Sequence, residues 1–384
     1  MKICVTTASG IEAVTKREIF EVTGEKDLAA IDGRICFDGD FETIAACNLR
    51  LRTANRVEII VGEFKAETFD ELFEGVKSVE WEKYIDVNGK IIVSAKSVMS
   101  KLFAYSAIQS ITKKAVCERL KSAYKSINLD ESGARYKIET SIRKDHVILS
   151  LDTSGEGLHR RGYRGLVGEA PLKETLAAAL IKLSVWNPSR PLADVFCGSG
   201  TIPIEAALIA AKIPSGMNRT FDYLSWKNAD REVFEKIKEK AVSEIDGEGE
   251  FRISGFDIDE KQLKLAREHA RLAGVKDKIH FQRADMRDFS SRFSHGVIIS
   301  NPPYGERLSE RREIEKLYRD FGKTVKSLDE WCCYTLTSVD DFERLFGRKA
   351  DKKRKIYNGK LECNYYSMLA SAPKKAEKTY NEKI

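Results

Sequence analysis

The apolar run Gly296-Val297-Ile298-Ile299-Ser300 is cut off by two consecutive prolines, in Asn301-Pro302-Pro303-Tyr304, and no other stretch constrains the fold as tightly. A short continuous run of this kind suits a strand buried on both faces, as in a parallel sheet. Proline brings no N–H to a ladder and fixes its own φ, so the strand must end there in a stiff turn. Such a turn presents the Asn301 amide and the Pro302 carbonyl oxygen as two fixed acceptors, with the Tyr304 ring beside them. Two acceptors can hold both hydrogens of a planar amine and aim its lone pair at an electrophile, while the ring stacks on a nucleobase. That chemistry suits N-methylation of a base. A plain proline turn capped by asparagine is the other reading of these four residues alone.

A second strand, Ala193-Asp194-Val195-Phe196, runs into Cys197-Gly198-Ser199-Gly200-Thr201 and then a helical stretch from Ile202 to Lys212. Glycines let backbone approach a ligand closely, and a helix N-terminus offers unpaired N–H groups. Pro203 stands where the third glycine of a dinucleotide fingerprint would fall, and no Gly-Lys-Ser/Thr follows. A dehydrogenase and a phosphate-gripping loop are both disfavoured. Phe251 to Phe256 forms a third strand, ending in Asp257-Ile258-Asp259 with a carboxylate suited to ribose hydroxyls. Lys278 to Gln282 is followed by Ala284-Asp285-Met286, where Asp285 can accept from an adenine amine. Acids suited to a nucleoside close two successive strands, and Asn301 closes the next.

These residues resemble the class I S-adenosylmethionine-dependent methyltransferases, in the amino-methylating branch that carries Asn-Pro-Pro-Tyr; the resemblance spans roughly residues 170 to 369. More narrowly, the chain is similar to guanine-N2 RNA methyltransferases with an N-terminal THUMP domain, namely the bacterial 23S rRNA large-subunit enzymes and their tRNA-modifying relatives. The narrower likeness rests on Leu158-His159-Arg160-Arg161-Gly162-Tyr163-Arg164, on Ala170-Pro171-Leu172-Lys173-Glu174-Thr175-Leu176-Ala177, on the Asp194 to Thr201 loop, and on Tyr357-Asn358-Gly359-Lys360-Leu361-Glu362-Cys363. It implies an α/β fold: a Rossmann-like, mainly parallel seven-stranded sheet with a terminal antiparallel hairpin, preceded by ferredoxin-like and THUMP domains. It implies S-adenosyl-L-methionine as cofactor, with Gly198, Ser199 and Gly200 lining the methionine part and Asp194, Cys197 and Thr201 among the cofactor-binding residues. Asp257 would meet the ribose and Asp285 the adenine, with Ile258 and Met286 also among the cofactor-binding residues. Thr175 falls on a helix placed beside the cofactor, and Glu205 is as well explained as a structural helix-start acid. Asn301, Pro302 and Tyr304 are the implied catalytic residues, Asn301 also bordering the cofactor.

The expected organisation is a ferredoxin-like domain over 1–65, a THUMP domain over 66–154, a linker over 155–169, a methyltransferase domain over 170–372 and a flexible tail over 373–384. The charged stretch from Pro214 to Glu250 reads as an insertion in the catalytic domain, with a helix from Arg231 to Ile245. Asn358-Gly359 between two strands favours a tight hairpin.

The net charge of +6 matters less than its placement. Seven basic residues stand between Lys96 and Lys125 against the single acid Glu118, interleaved with Phe103, Tyr105 and Tyr124. Lys113, Lys114 and Lys121 are therefore candidate phosphate contacts, with a solvated helix face as the alternative. Arg160, Arg161 and Arg164 are further candidates, although linker solubility explains them almost equally well. Eight scattered cysteines without a Cys-x-x-Cys pair read as buried thiols, and no metal is assigned. No apolar run approaches the ~20 residues of a membrane span, and Met1-Lys2-Ile3-Cys4 lacks a signal-peptide core, so a cytoplasmic location is expected. The expected reaction is methyl transfer to guanine N2 in structured RNA, 23S rRNA first and tRNA second. An adenine-N6 DNA methyltransferase and a silent RNA-binding assembly factor are the alternatives.

Overall fold

A computed structural model describes residues 1–31, 33–164, 172–305, 311–328 and 330–370. The chain divides into two compact units, one holding Met1–Arg164 and Lys212–Asp246, the other holding the described parts of 165–211 and 247–384. Ala170 and Pro171, the linker beyond Arg164 and the tail lie outside the described residues.

In the first unit β1 (Lys2–Thr7), α1 (Glu12–Thr23), β2 (Ala29–Ile31), β3 (Arg34–Asp38), α2 (Phe41–Arg50), β4 (Ala54–Lys65), α3 (Phe69–Ser78), β5 (Lys90–Val98), α4 (Tyr105–Tyr124), β6 (Arg135–Arg143) and β7 (His146–Asp152) follow in order. Gly24 ends α1 in the left-handed region at φ 75°, its N–H closing on the Phe20 carbonyl, a conformation that glycine adopts without a Cβ penalty. Capping boxes on Asp40 and Thr68 start α2 and α3. The strands form one seven-stranded sheet in the order β2-β3-β1-β4-β7-β6-β5. Two expected modules thus share a sheet. The joint is β4, long enough to pair with β1 along its first half and with β7 along its second, with a register shift between Ile60 and Gly62.

The second unit begins with α5 (Glu174–Leu183), β8 (Leu192–Asp194) and α6 (Thr201–Ala210), while α7 (Arg231–Ser243) lies in the first unit. It continues with β9 (Ile253–Asp257), α8 (Glu260–Leu272), β10 (Ile279–Arg283), β11 (Val297–Ser300), α9 (Arg311–Lys326), β12 (Cys332–Thr337), α10 (Phe342–Phe346), β13 (Lys352–Asn358) and β14 (Leu361–Met368). The sheet order is β10-β9-β8-β11-β12-β14-β13, parallel from β10 to β12, with β14 antiparallel to both its neighbours. β8 sits where the strand order reverses. In an open sheet of this kind, ligands bind outside the carboxyl ends of the strands at that point.

The stretch from 212 to 246 lies in sequence between α6 and β9 of the second unit, as an insertion would, but it packs with the first unit. Its surface charge conceals an apolar series, Phe221, Tyr223, Trp226 and Phe234, all buried in that unit's core. Trp226 stacks on Tyr136 with ring centroids 5.0 Å apart and donates its indole N–H to the Arg135 carbonyl at 2.9 Å. The Gly216 N–H reaches the Leu49 carbonyl at 2.8 Å, and Arg50 pairs with Glu244 at 2.6 Å. Burying four aromatic rings outweighs the solvation of the charged residues between them. Trp226→Ala is expected to destabilise the first unit by about 3–5 kcal/mol, as for other buried tryptophans. Chemical denaturation followed by amide exchange of β4 and β6 checks this, and unchanged protection there refutes the role of Trp226 in holding the stretch to the sheet.

Candidate active site

β8 and β11 run side by side, Leu192 and Ala193 opposite Val297 and Ile298, so the glycine loop and the proline turn leave from adjacent strand ends. Ser300, fully buried, ties the two together. Its hydroxyl donates to Asp194 Oδ1 at 2.8 Å and accepts the Val195 N–H at 3.1 Å, and the same Oδ1 accepts the Phe196 N–H at 3.1 Å. Burial pushes the Asp194 carboxyl up to about 7, against the downward pull of its two hydrogen bonds. Asp194 was expected at the cofactor. Buried as it is, its side chain instead braces the loop that would hold one.

At the end of β9, Asp257 Oδ2 accepts the Gly198 N–H at 2.8 Å and Oδ1 accepts the Asp259 N–H at 2.9 Å. A carboxylate is thereby fixed against the glycine loop. Gly198 and Gly200 both have positive φ, 50° and 85°; a Cβ on Gly200 would stand 2.9 Å from the Ala266 Cβ, whereas one on Gly198 would meet no atom within 4 Å. Gly200 is needed for space inside the protein, and Gly198 leaves space outside it. Ser199 is held from behind, its carbonyl 3.2 Å from Nδ1 of the buried His269 on α8. Ile258, next to Asp257, leaves 64% of its surface uncovered, an apolar face available to a flat ring. Thr175, Cys197 and Thr201 are buried and pack inward, as is Glu205.

Asp285 is less free than the sequence suggested. It accepts the Arg287 N–H at 2.9 Å and pairs with the same guanidinium at 2.8 Å, which also reaches Asp320 at 3.0 Å. The Met286 side chain belongs to the core.

The proline turn is braced from two sides. The buried Tyr318 hydroxyl donates to the Pro303 carbonyl at 3.0 Å and lies 2.8 Å from the Thr337 hydroxyl. The Tyr304 hydroxyl donates to Asn301 Oδ1, and Cys363 Sγ approaches that hydroxyl at 3.9 Å. Burial raises the Tyr304 phenol well above its ordinary value, so it remains a donor across the working range of pH. Beside Tyr304 and Gly305 opens a cavity of about 490 Å³, walled by Ile314, Val339 and Leu345 and rimmed by Arg311, Glu315 and Asp340. Sequence reasoning passed over Ser300, Tyr318 and Cys363. Signals existed: Ser300 is the polar end of an apolar strand, and Tyr318 falls in the 3.6-residue series Ile314, Tyr318, Phe321, Val325 on α9.

The basic candidates of the first unit fare unevenly. Four of the seven basic residues between Lys96 and Lys125 meet acids from elsewhere in the chain: Lys96 with Glu139, Lys101 with Glu67, Lys113 with Glu131 and Arg119 with Glu82. The expected cationic face is thus largely neutralised. Lys114 lies 5.5 Å over the Phe73 ring, and Lys121 has no ion pair among the described residues. Arg160 is exposed and pairs with Glu156 at 3.0 Å. Arg161 is a correction: it is 4% exposed and donates to the Leu158 carbonyl at 2.6 Å and to the Arg52 carbonyl, so it closes a loop instead of meeting phosphate. Arg164 is partly buried at the end of the described stretch. Among the described residues no group of three or more His, Cys, Asp or Glu is arranged to hold a metal, and no helix is long and apolar enough to cross a membrane.

The raised Asp194 carboxyl gives a sign to test. Its folded value, about 7, lies above the unfolded 3.8, so the folded state binds the extra proton and stability falls as pH rises from about 4 through 7. Asp194→Asn keeps an oxygen acceptor for Ser300 and Phe196 and removes the charge. The variant is expected to be flatter in stability from pH 5 to 8 and about 1–4 kcal/mol more stable at pH 8. Denaturant titrations across that range read the difference directly, and parallel profiles would assign the pH dependence elsewhere.

Comparison with known proteins agrees with this geometry. Residues 161–367 match the RMKL-like methyltransferase domain, residues 2–58 the RlmL ferredoxin-like domain and residues 66–152 the THUMP domain. A Bacillus subtilis protein provisionally named RNA methyltransferase YpsC is 42% identical over 99% of this chain and 98% of its own length. The ribosomal RNA large subunit methyltransferase K/L of Aliivibrio fischeri is 33% identical over 97% of this chain, which spans about half (54%) of that relative's length. Among solved structures, SMU.472, provisionally described as a methyltransferase and crystallised with S-adenosylhomocysteine, superposes with a TM-score of 0.92 at 42% identity, covering 97% of this chain and 99% of its own. A Listeria monocytogenes protein described as a predicted N6-adenine-specific DNA methylase superposes at 0.91 and 42% identity, covering 96% of both chains. With its glycine loop, strand-end acid and proline turn on adjacent strands of a β10-β9-β8-β11-β12-β14-β13 sheet, this chain belongs to the RMKL-like methyltransferase family.

Proposed function

We propose that this protein transfers a methyl group from S-adenosylmethionine to the exocyclic N2 amine of a guanine in structured RNA, with 23S rRNA the favoured substrate and tRNA the alternative. The observation that carries the reading is the fixed juxtaposition of the Gly198 loop and the Asn301 turn through Ser300 and Asp194. The residues fit the cofactor: open space at Gly198, a carboxylate at Asp257 and the uncovered Ile258 suit a nucleoside with an amino-acid arm. When bound, it supplies an electrophilic methyl carried on a sulfonium.

The protein's own task is position and polarity. Asn301 Oδ1 and the Pro302 carbonyl accept the two hydrogens of the amine, which favours the pyramidal, nucleophilic nitrogen. Tyr318 occupies the neighbouring Pro303 carbonyl and keeps the turn from relaxing. Orientation of this kind is worth about 7–11 kcal/mol in well-ordered systems. No strong base is required, because the methylated nitrogen is acidic and releases its proton to water. The cavity beside Tyr304 has room for a flipped base. RNA as substrate is supported by the THUMP match and by the names of the YpsC and K/L relatives. One observation favours a second reading, adenine N6 in DNA: the Listeria neighbour's description, together with a turn that accepts either amine.

Asn301→Ala should lower methyl transfer by several orders of magnitude with donor affinity nearly unchanged. Asp257→Ala should weaken donor binding by about 1.5–3 kcal/mol, the cost of losing hydrogen bonds to a charged group. Calorimetry separates the two effects, and loss of donor binding in the Asn301 variant would overturn its assignment. Nucleoside mass spectrometry of a deletion strain decides the product. N2-methylguanosine in RNA should fall and be restored by the wild type but not by Asn301→Ala; loss of N6-methyladenine from DNA instead promotes the second reading.

A further inference from the structure

The segment joining β5 to α4 exposes a cluster of large apolar side chains. Val98, Met99, Phe103 and Tyr105 are 55%, 75%, 77% and 53% exposed, four large side chains within eight residues. The loop is nevertheless built. Leu102 anchors it in the core, and the Lys101 N–H donates to Asp145 Oδ1 at 2.7 Å. The Asp145 N–H returns to Ser100 Oγ at 3.1 Å, and the Lys144 N–H reaches the Val98 carbonyl at 3.2 Å. Met99, Lys144 and Asp145 all hold positive φ, so the loop and the β6–β7 turn lean on each other in conformations that ordinary side chains resist. A chain that fixes a strained loop and leaves its rings in water has ordered them for a ligand.

The surroundings name the ligand's charge. At this end of the sheet Lys65 stands opposite His146, Arg143 opposite His146, and Val98 opposite Arg143, which brings four strand ends to one rim. Across residues 65–67, 96–105 and 143–146 there are five Lys or Arg residues and two carboxylates, and of the five Lys96 is drawn away to Glu139. Glu67 is shared between Lys65 and Lys101, and Asp145 is occupied with loop backbone. Exposed rings within a basic rim fit unstacked bases, which offer flat faces on a polyanionic backbone.

We propose that Phe103 and Met99, flanked by Lys144 and Arg143, form a stacking platform for one or two unpaired bases of single-stranded RNA. The inference rests on the RNA reading above and adds a defined contact to it. The test uses the full chain without cofactor, a labelled twelve-nucleotide single-stranded RNA and a blunt RNA duplex of equal length. Phe103→Ala should weaken single-strand binding about tenfold or more, as loss of one base stack does, and leave the slope of affinity against salt unchanged. Phe103→Trp should restore affinity. Lys144→Glu should instead reduce the salt slope by about one phosphate contact. Duplex binding should be unaffected by either change at Phe103.

Unchanged single-strand affinity in Phe103→Ala, or an equal loss on the duplex, overturns the platform. So does loss of binding to vesicles of anionic lipid with RNA affinity intact, which assigns the loop to a membrane surface. If the alanine variant keeps single-strand affinity and N2-methylguanosine still forms, only the loop assignment falls and the methyl-transfer proposal stands.

Discussion

The chain of hydrogen bonds through Ser300 is the constraint on which the catalytic unit depends. A serine at the end of a fully buried strand would cost about 1–3 kcal/mol if its hydroxyl found no partner. The Val195 N–H can only donate, so the Ser300 oxygen accepts it, and with Asp194 ionised the serine proton goes to that carboxylate, which also receives the Phe196 N–H. The bonds run between the ends of two neighbouring parallel strands, so the glycine loop cannot shift relative to the proline turn without breaking one of them in a low-dielectric interior. A methyl acceptor and donor must sit within ~3–3.5 Å at the right angle, and a tie of this kind between the two loops is how a sheet edge supplies that tolerance.

The turn itself is organised by aromatic hydroxyls that the reaction does not consume. Tyr318 takes the Pro303 carbonyl, leaving the Pro302 carbonyl as the acceptor the turn can offer. Tyr304 donates to Asn301 Oδ1, and a carboxamide oxygen has two lone pairs, so one is spent on orientation and the other is left for the amine that the proposed reaction requires. Cys363 on β14 approaches the Tyr304 hydroxyl, and Asn358, at the end of β13, lies close enough to lower the phenol's pKa against burial. The Tyr357 to Cys363 motif therefore backs the proline turn, a part that its hairpin signature alone did not disclose.

What the sequence disclosed follows from periodicity and from residues whose backbone demands are local. The strand before Asn301, the loop from Cys197 and the Asn358-Gly359 hairpin all stand where local chemistry puts them. Three-residue β2 and five-residue α10 were missed because such segments are too short to show a period. Other misses concern partners distant in the chain. Nothing within a window around Arg161 shows that Arg52 supplies its acceptor, and nothing around Lys113 points to Glu131. The stretch from 212 to 246 was read by its charge, while the aromatic residues that decide its packing meet Tyr136 and Leu49 far upstream.

The first unit shows why a net charge says little about where an anion binds. Glu58, Glu139 and Asp152 lie buried together on the sheet, and burial, reinforced by the other two carboxylates, pushes Glu58 up to about 7. The cluster is compensated from neighbouring strands: Arg34 and Lys96 each meet Glu139 at 2.8 Å, Arg56 meets Asp152, and Lys137 meets Asp152 at 3.3 Å. Four cations are thus tied to carboxylates that cannot leave the interior without breaking the sheet. Charge used in this way makes no phosphate contact and releases no counterion. The cations that can engage a polyanion are those at strand ends and loop tips, beyond the reach of the buried acids, and there the sequence places exposed rings among them.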